Sequence, residues 1–366
     1  MSVAINGTDG ITYNDGSLQP SAPVGKNLII NGDMMIDQRN AAASATSNTS
    51  VYMVDRFEFQ MSSVTNVQTY QQVTDAPAGF NKSLKITNNS TTQSTAAGVL
   101  CTPRQKIEGF NTAHLNWGTA NAQTVTVSFW VKASVTGTYP VALTNDDFTR
   151  SFVTNYTVSV ANTWEKKTVT ITGDTSGTWT IDNSTGINVM FSLDTGSTYQ
   201  TTADSWQAGN YRGTSSDVHF LANASATWQI TGVQLEANTT ATPFENLMYS
   251  QQLALCQRYY YIPAQGVNSE INVGWYYNST WLSSAIDMPV PMRVKPTLTD
   301  TTGSSYYTMY RNNTADALDS LTLENSNNNH TCVSIYNNSD VSGTGGQAGI
   351  LRTTNALAKL ELDSEL

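Results

Sequence analysis

Hydrophobic and polar residues alternate along much of this chain. In the stretch 125–133, the valines and Phe129 fall on one side of a predicted strand, and the residues between them fall on the other. Similar runs recur from Lys26 to about Glu236, separated by turns rich in glycine, serine and aspartate. Many short strands with little helix predict a β-sandwich for residues 26–243. The predicted strands are Leu28–Asn31, Arg56–Met61, Val67–Val73, Ser83–Thr87, Val99–Lys106, Val125–Ala133, Phe152–Val160, Glu165–Thr172, Thr178–Asp182, Gly186–Leu193, His219–Leu221 and Trp228–Leu235.

The hydrophobic period changes after Pro243. Proline cannot donate a backbone hydrogen bond to a sheet, but it fits the first position of a helix. Apolar residues then recur near a 3.6-residue period, which predicts a connecting helix over 244–261 with Thr242 as its N-cap. These apolar residues are Phe244, Leu247, Met248, Leu255 and Tyr259.

Strand patterns return after Tyr261 and predict a second, smaller β domain over 262–366. Its predicted strands are Ile271–Tyr277, Trp281–Met288, Tyr306–Tyr310, Ser320–Leu323, Cys332–Tyr336 and Leu357–Leu362.

Residues 1–25 consist of turn formers between short β-prone pieces, Val3–Ile5 and Ile11–Tyr13. This segment is too short to bury a core, so we expect either a flexible tail or an extended arm that orders on another protein or on copies of itself.

Composition limits the classes of function. The chain has 366 residues, enough for about two domains, and a formal net charge of −10. No basic stripe is visible, so we expect no nucleic-acid partner. Neither a signal peptide nor a long apolar run is visible, so we expect assembly in a cytoplasm without membrane insertion. Three scattered cysteines without a CxxC spacing predict reduced thiols rather than disulfides or a zinc site.

The pattern of titratable residues does not favour catalysis. The three histidines are scattered, and no nucleophile elbow, metalloprotease motif or phosphate-binding loop is present. Asp194, Asp204 and Asp217 lie in one long loop and are the best candidates for glycoside cleavage, but loop aspartates usually cap turns. We therefore expect that the protein is not an enzyme.

Aromatic residues in polar surroundings are the candidate ligand contacts. Flat aromatic faces beside amides and hydroxyls suit sugars, whose C–H faces are apolar and whose hydroxyls need hydrogen-bond partners. Trp206 and Tyr211 lie in the long loop 194–217, and loop packing is their alternative role. Trp275, Tyr277 and Trp281 flank a predicted turn, and core or intersubunit packing is their alternative role.

The stretches Gly232–Glu236, Ala241–Glu245 and Cys256–Tyr260 resemble, in this order, the tail-fibre and related tail proteins of bacteriophages and prophages. Further matching stretches are Asn27–Asp33, Asp37–Arg39, Val54–Phe57, Gln105–Gly109 and Ser128–Lys132. The resemblance implies a jelly-roll β-sandwich similar to carbohydrate-binding modules and a role in the virion, usually at its host-contacting end.

The same resemblance implies a candidate calcium site, because such modules often hold a structural calcium at the ends of the sandwich. Asp33, Asp37 and Glu236 would supply oxygen ligands. Their alternative role is that of ordinary turn and edge-strand carboxylates, and Gln234 stands where such modules tend to carry an acidic residue. No other cofactor is expected.

These observations lead to three hypotheses. In the first, the protein is a homotrimeric, non-enzymatic tail fibre that binds host cell-surface polysaccharide. Its N-terminal arm would attach to other virion tail proteins, and the domain 262–366 would face the cell. In the second, it is a structural adaptor, fibre or head-decoration protein of the virion. In the third, it is a polysaccharide depolymerase.

Overall fold

The computed structural model describes residues 26–89, 92–324 and 329–366, together with three short N-terminal strands, Ala4–Asn6, Gly10–Thr12 and Leu18–Gln19. The three strands form a small antiparallel sheet. The rest of the predicted arm 1–25 and most of the polar loop 325–330 lie outside the described residues. In the described part of the chain, no helix has the length and apolar character needed to cross a bilayer.

The chain forms two compact units. Unit 1 comprises Met1–Met35, Ala42–Met53 and Phe57–Leu247, and unit 2 comprises Ile36–Ala41, Val54–Arg56 and Met248–Leu366. The sequence analysis placed the two short segments of unit 2 inside the sandwich domain, which is wrong. Arg39 and Arg56 explain the difference, because both make ion pairs with Glu365.

Numbered in chain order, the strands of unit 1 alternate with short turns and three-residue 3₁₀ turns. They are β1 (Ala4–Asn6), β2 (Gly10–Thr12), β3 (Leu18–Gln19), β4 (Ala45–Ser47), β5 (Val51–Val54), β6 (Phe57–Ser62), β7 (Gln68–Val73), β8 (Ser83–Asn88), β9 (Leu100–Glu108), β10 (Val125–Ala133), β11 (Gly137–Thr144), β12 (Arg150–Val158), β13 (Glu165–Ile171), β14 (Thr185–Phe191), β15 (Asp194–Thr195), β16 (Ser205–Ala208) and β17 (Thr227–Glu236).

Two antiparallel sheets make up the sandwich of unit 1. One has six strands in the spatial order β13-β10-β17-β8-β7-β4. The other has eight, in the order β16-β12-β11-β14-β9-β6-β5, with β15 added beside β9. Aromatic side chains from both sheets meet in the core: Phe129 of β10 lies 5.0 Å from the rings of Tyr156 and Phe191. The predicted jelly-roll sandwich is confirmed.

The alternation in β10 also holds, because its valines and Phe129 are fully buried. Thr126 and Ser128 on the opposite side are buried too, although period-two alternation predicted a wet face there. The chain beyond β17 accounts for this at Thr126, whose hydroxyl donates to the Asn238 carbonyl at 2.8 Å.

Several predicted strands differ from the structure. Leu28–Asn31 is irregular backbone held alongside β17 by the Asn27 side chain, which donates to the Val233 carbonyl and accepts from Leu235 N–H. Thr178–Asp182 contains no strand, and a 3₁₀ turn replaces the one predicted at His219–Leu221.

The unpredicted strand β11 contains Pro140, which argues against a central strand. Pro140 is tolerated because β14 pairs with β11 only from Val141 onward. On that side of β11, no hydrogen bond requires a backbone N–H at Pro140.

The helix α1 spans Tyr249–Gln257, shorter than the predicted 244–261. The predicted N-cap was wrong, because the Thr242 hydroxyl donates to the Glu236 carboxylate at 2.7 Å instead of capping a helix. Residues 244–248 are not helical. Their backbone is bound to the sandwich, since the N–H of Glu245 donates to the Gln234 side chain at 2.9 Å.

Unit 2 is a second, smaller β unit, as predicted. Its strands form a three-stranded sheet in the order β18-β27-β21 and a seven-stranded sheet in the order β23-β22-β26-β19-β20-β25-β24. Apolar residues from both sheets form one core. The strands are β18 (Tyr260–Gln265), β19 (Glu270–Asn278), β20 (Trp281–Asp287), β21 (Thr297–Asp300), β22 (Tyr307–Arg311), β23 (Thr314–Leu318), β24 (Thr322–Leu323), β25 (Cys332–Asn337), β26 (Ala348–Thr353) and β27 (Lys359–Asp363).

Candidate functional site

The outer side of the seven-stranded sheet in unit 2 carries three of the predicted contact residues. On β19 the side chains alternate, so that Tyr276 is buried in the core while Trp275 and Tyr277 are 43% and 76% exposed. The structure therefore excludes packing in the core of this unit as the role of Trp275 and Tyr277. Intersubunit packing and ligand contact remain as their two alternatives.

Cross-strand pairing extends these side chains into a continuous surface, since directly opposite residues share a face. One row runs through Ala348, Trp275, Ser283 and Tyr336. A neighbouring row runs through Tyr310, Ile350 and Val273. We call this surface the aromatic face; it consists of Val273, Trp275, Tyr277, Trp281, Tyr310, Tyr336 and Ile350.

Trp281 belongs to the aromatic face but is fixed by its neighbours. Its ring is stacked on Tyr336 with centroids 4.6 Å apart and planes 9° apart, and its indole N–H donates to the Ser283 hydroxyl at 2.9 Å. One ring face is thus already used. We infer that Trp281 stiffens the surface that Trp275 and Tyr277 present.

Trp206 lies in unit 1, on β16 at the edge of the eight-stranded sheet. Its ring contacts Trp117 and Trp179 edge-on at 5.4 Å, and its indole N–H donates to the Thr172 carbonyl at 2.7 Å. We call these three residues the tryptophan cluster. Sequence reasoning missed Trp117 and Trp179, because they lie far apart along the chain and Trp179 was assigned to the predicted strand Thr178–Asp182.

Tyr211 lies on the opposite side of the same sheet. It packs against Ala142, Val153 and Met190 together with Phe148. Val153 follows Phe152, the residue directly opposite Trp206, so the two predicted loop aromatics lie on opposite faces. Trp206 and Tyr211 therefore do not form one site.

Charged residues border the Tyr211 cluster. The Arg212 guanidinium lies 4.4 Å over the Phe148 ring, and burial, aided by the charge of Arg104, lowers the pKa of Arg212 to about 10. Arg104 itself donates to Glu58 at 2.8 Å. Burial would raise the pKa of Glu58, but Arg104 and Lys106 outweigh burial and lower it. This network holds the loop onto the sheet.

The predicted calcium ligands do not form a cluster. Across residues 26–89, 92–324 and 329–366, no group of three or more His, Cys, Asp or Glu side chains is placed to hold a metal ion. Glu236 accepts hydrogen bonds from Gln234 and from Thr242, and Asp37 accepts one from Asn40 N–H at 3.0 Å. Burial raises the pKa of Asp33, although backbone hydrogen bonds lower it. Calcium binding stays a prediction at these residues.

The candidate catalytic aspartates of the long loop act as structural acceptors. Asp194 is buried and accepts from the Thr95 hydroxyl at 2.6 Å and from Leu221 N–H at 3.0 Å. Asp217 accepts from the backbone and hydroxyl of Thr214, and Asp204 from the Thr154 hydroxyl. Asp217 fixes a local turn, whereas Asp194 and Asp204 connect segments that are distant along the chain.

Comparison with known proteins gives no family for this chain. No protein-family model and no curated relative matches the sequence. Among solved structures, the enzymatically active domain of tailspike protein 4 of bacteriophage CBA120 overlaps 58% of this chain and 22% of its own, at 11% identity and a TM-score of 0.29.

Two carbohydrate-related structures show a similar overlap. The CBM22-1 xylan-binding domain of Paenibacillus barcinonensis Xyn10C matches 60% of this chain and 100% of its own, at 10% identity and a TM-score of 0.27. A putative sugar-binding protein of Bacteroides thetaiotaomicron matches 58% of this chain and 100% of its own, at 14% identity and a TM-score of 0.30.

Proposed function

We propose that this protein is a virion tail-fibre protein that adsorbs to host-surface glycans without cleaving them. The aromatic face of unit 2 is the observation that carries the proposal. It presents the exposed rings of Trp275 and Tyr277, and Ser283 lies directly opposite Trp275 on the neighbouring strand. Aromatic planes beside hydroxyl groups suit the apolar C–H faces and polar edges of a saccharide.

The stretches that resemble tail proteins support the virion role. Asp37–Arg39, Val54–Arg56 and Cys256–Tyr260 contribute to one network in unit 2. There the Arg56 guanidinium lies 3.5 Å over Tyr259, and that of Arg39 lies 3.7 Å over Tyr260. These stretches therefore belong to the unit that carries the aromatic face. The N-terminal arm would attach the protein to other tail proteins, after assembly in the host cytoplasm.

Replacing Trp275 and Tyr277 with alanine tests the glycan contact. Both side chains point away from the core, so we expect folded protein whose binding to host cells and to a glycan array is weakened about tenfold or more. Tyr249→Ala removes an exposed ring from helix α1 and serves as the matched control. If Trp275→Ala and Tyr277→Ala both bind host cells and glycans as the unaltered protein does, the aromatic face is not the receptor surface.

The proposal includes a homotrimer, because weak single sites need several copies. Linked copies raise avidity by roughly 10²–10⁴. Light scattering should give three times the mass of the 39.7 kDa chain. A stable monomer at micromolar concentration contradicts the trimer.

The exposed aliphatic residues Val273 and Ile350 support a second candidate, a structural virion protein whose aromatic face packs against other copies. In that case Val273→Ser with Ile350→Ser would dissociate the oligomer, while Trp275→Ala would leave cell binding unchanged. A depolymerase would instead release reducing ends from host polysaccharide, and we expect none.

A further inference from the structure

A cavity of about 210 Å³ opens beside the tryptophan cluster in unit 1. The rings of Trp117 and Trp179, which meet edge-on at 4.6 Å, form one wall. The remaining lining is aliphatic or carries neutral polar groups: Thr112, Ala113, Asn116, Thr119, Thr180, Ile181 and Ile187. It lies in the other unit from the aromatic face, which makes it a separate candidate site.

Local hydrogen bonds hold both indole rings in place. The indole N–H of Trp117 donates to the Gln123 carbonyl at 2.7 Å, and that of Trp179 donates to the Ser176 carbonyl at 3.1 Å. With both N–H groups satisfied, the rings offer apolar carbon surface to the cavity without an unpaired donor. Such a wall suits an apolar ligand face.

The turn that carries Trp179 is anchored by an ion pair. Arg150 donates two hydrogen bonds to Asp174, at 2.6 and 2.8 Å, and the Asp174 carboxylate also accepts from Ser176 N–H at 3.0 Å. Gly118 lets this turn approach closely, because a Cβ atom there would lie 2.7 Å from the Gly177 carbonyl oxygen and its φ is +83°. The cavity wall is therefore preorganised.

The polar groups of the lining are hydroxyls and an amide. The Thr112 hydroxyl donates to the Gly109 carbonyl at 3.1 Å, and the Thr119 hydroxyl donates to the Asn116 carbonyl at 2.7 Å. Each hydroxyl has used its proton, so its oxygen keeps acceptor capacity for an O–H donor of a ligand. The lining residues carry no charge, which selects against ionic ligands.

The volume limits the size of the ligand. Sites for drug-sized molecules usually measure about 300–1,000 Å³, and this cavity is smaller. We propose that it binds one neutral sugar ring, such as the terminal residue of a glycan, with the ring's C–H face against one of the two indoles. This inference rests on the proposed glycan-binding function and adds a second, independent contact to it.

The test uses the full chain labelled with 5-fluorotryptophan. The chain has 8 tryptophans, and each should give its own fluorine NMR signal. Assignment comes from single Trp→Phe variants. The probes are the methyl glycosides of glucose, galactose, N-acetylglucosamine and rhamnose, each added separately. We expect at least one to shift the signals of Trp117 and Trp179 saturably, with the Trp275 signal following a separate titration curve or not moving.

Two variants separate the cavity from the aromatic face. Ala113 lies on the exposed rim of the cavity, so Ala113→Phe fills the opening without removing core packing. It should raise the dissociation constant obtained from the Trp179 signal about tenfold or more. Trp275→Ala should leave that shift unchanged.

The outcomes distinguish the two proposals. If no probe shifts Trp117 or Trp179, or if Ala113→Phe binds like the unaltered protein, the cavity proposal is overturned. The aromatic face would still be tested by its own variants. If host-cell binding is lost in Trp275→Ala while the cavity titration persists, both proposals stand as separate sites.

Discussion

Asp55 is a carboxyl group buried in unit 2. Its oxygens accept hydrogen bonds from the backbone and the side-chain amide of Gln38, at 2.6 and 2.5 Å. Burial nevertheless dominates and raises the pKa of Asp55 to about 6 from the usual 3.8, while Gln38 and Arg39 lower it. The folded protein thus holds a proton on Asp55 at a pH where the unfolded chain has released it.

This pKa predicts how stability depends on pH. Because the folded pKa lies above the unfolded one, the contribution of Asp55 is fully present below about pH 4 and is lost as the pH rises through 6. The loss amounts to about 3 kcal/mol at most. Asp55→Asn should flatten the curve of melting temperature against pH between 4 and 7. Equal slopes for the variant and the unaltered protein would show that Asp55 does not titrate in this window.

At the level of single elements, a bulge in β17 keeps the apolar side chains on both sides of Gly232 directed into the core. The pairing of β10 with β17 shifts register between Ser128 and Trp130, opposite Gly232. Ile230 and Val233 are both buried although they are three residues apart, because the bulge restores the inward direction after Gly232. Gly232 has a φ of +62°, and a Cβ atom there would lie 2.6 Å from the Phe80 ring.

Gly232→Ala should therefore destabilise the sandwich by about 2–4 kcal/mol, combining backbone strain with the displacement of Phe80. Gly79→Ala is the matched control, since Gly79 also has a positive φ, +92°, but has no atom within 4 Å of a Cβ. We expect Gly79→Ala to lower the free energy of unfolding by about 1 kcal/mol. Urea unfolding measures both, and equal losses would show that the contact with Phe80 is unimportant.

At the level of the whole molecule, the chain enters unit 2 three times. Ile36–Ala41 and Val54–Arg56 belong to it, as does the C-terminal part from Met248. Glu365 connects these segments, because its carboxylate pairs with Arg39 at 3.0 Å and with the buried Arg56. Deleting residues 262–366 would remove the Glu365 carboxylate from Arg39 and Arg56, so point variants test unit 2 more cleanly than truncation.

Glu365→Gln should destabilise unit 2 by about 3 kcal/mol, because it removes the carboxylate charge that pairs with the buried Arg56 and with Arg39. Glu165→Gln is the control. It removes the partner of Lys167 in a partly exposed pair of unit 1 and should cost at most about 1 kcal/mol. Hydrogen exchange at β18 and β27 locates the effect, and unchanged protection there would contradict it.

The sequence by itself determined the all-β class, the single short helix and the second β unit. Alternation in β10 and β19 depends on neighbouring residues alone, so it can be read along the chain. Trp275 and Tyr277 were singled out because they flank a predicted turn, which is also a local pattern. Their assignment as contacts rested on that local pattern.

Only the tertiary structure decided which distant residues meet. The tryptophan cluster joins turns at 117 and 179 to the strand at 206, and the Glu365 network joins segments more than 300 positions apart. It also separated Trp206 from Tyr211, which share a loop but lie on opposite faces of one sheet. Such contacts depend on strand order and register across the whole sheet, and no local period encodes them.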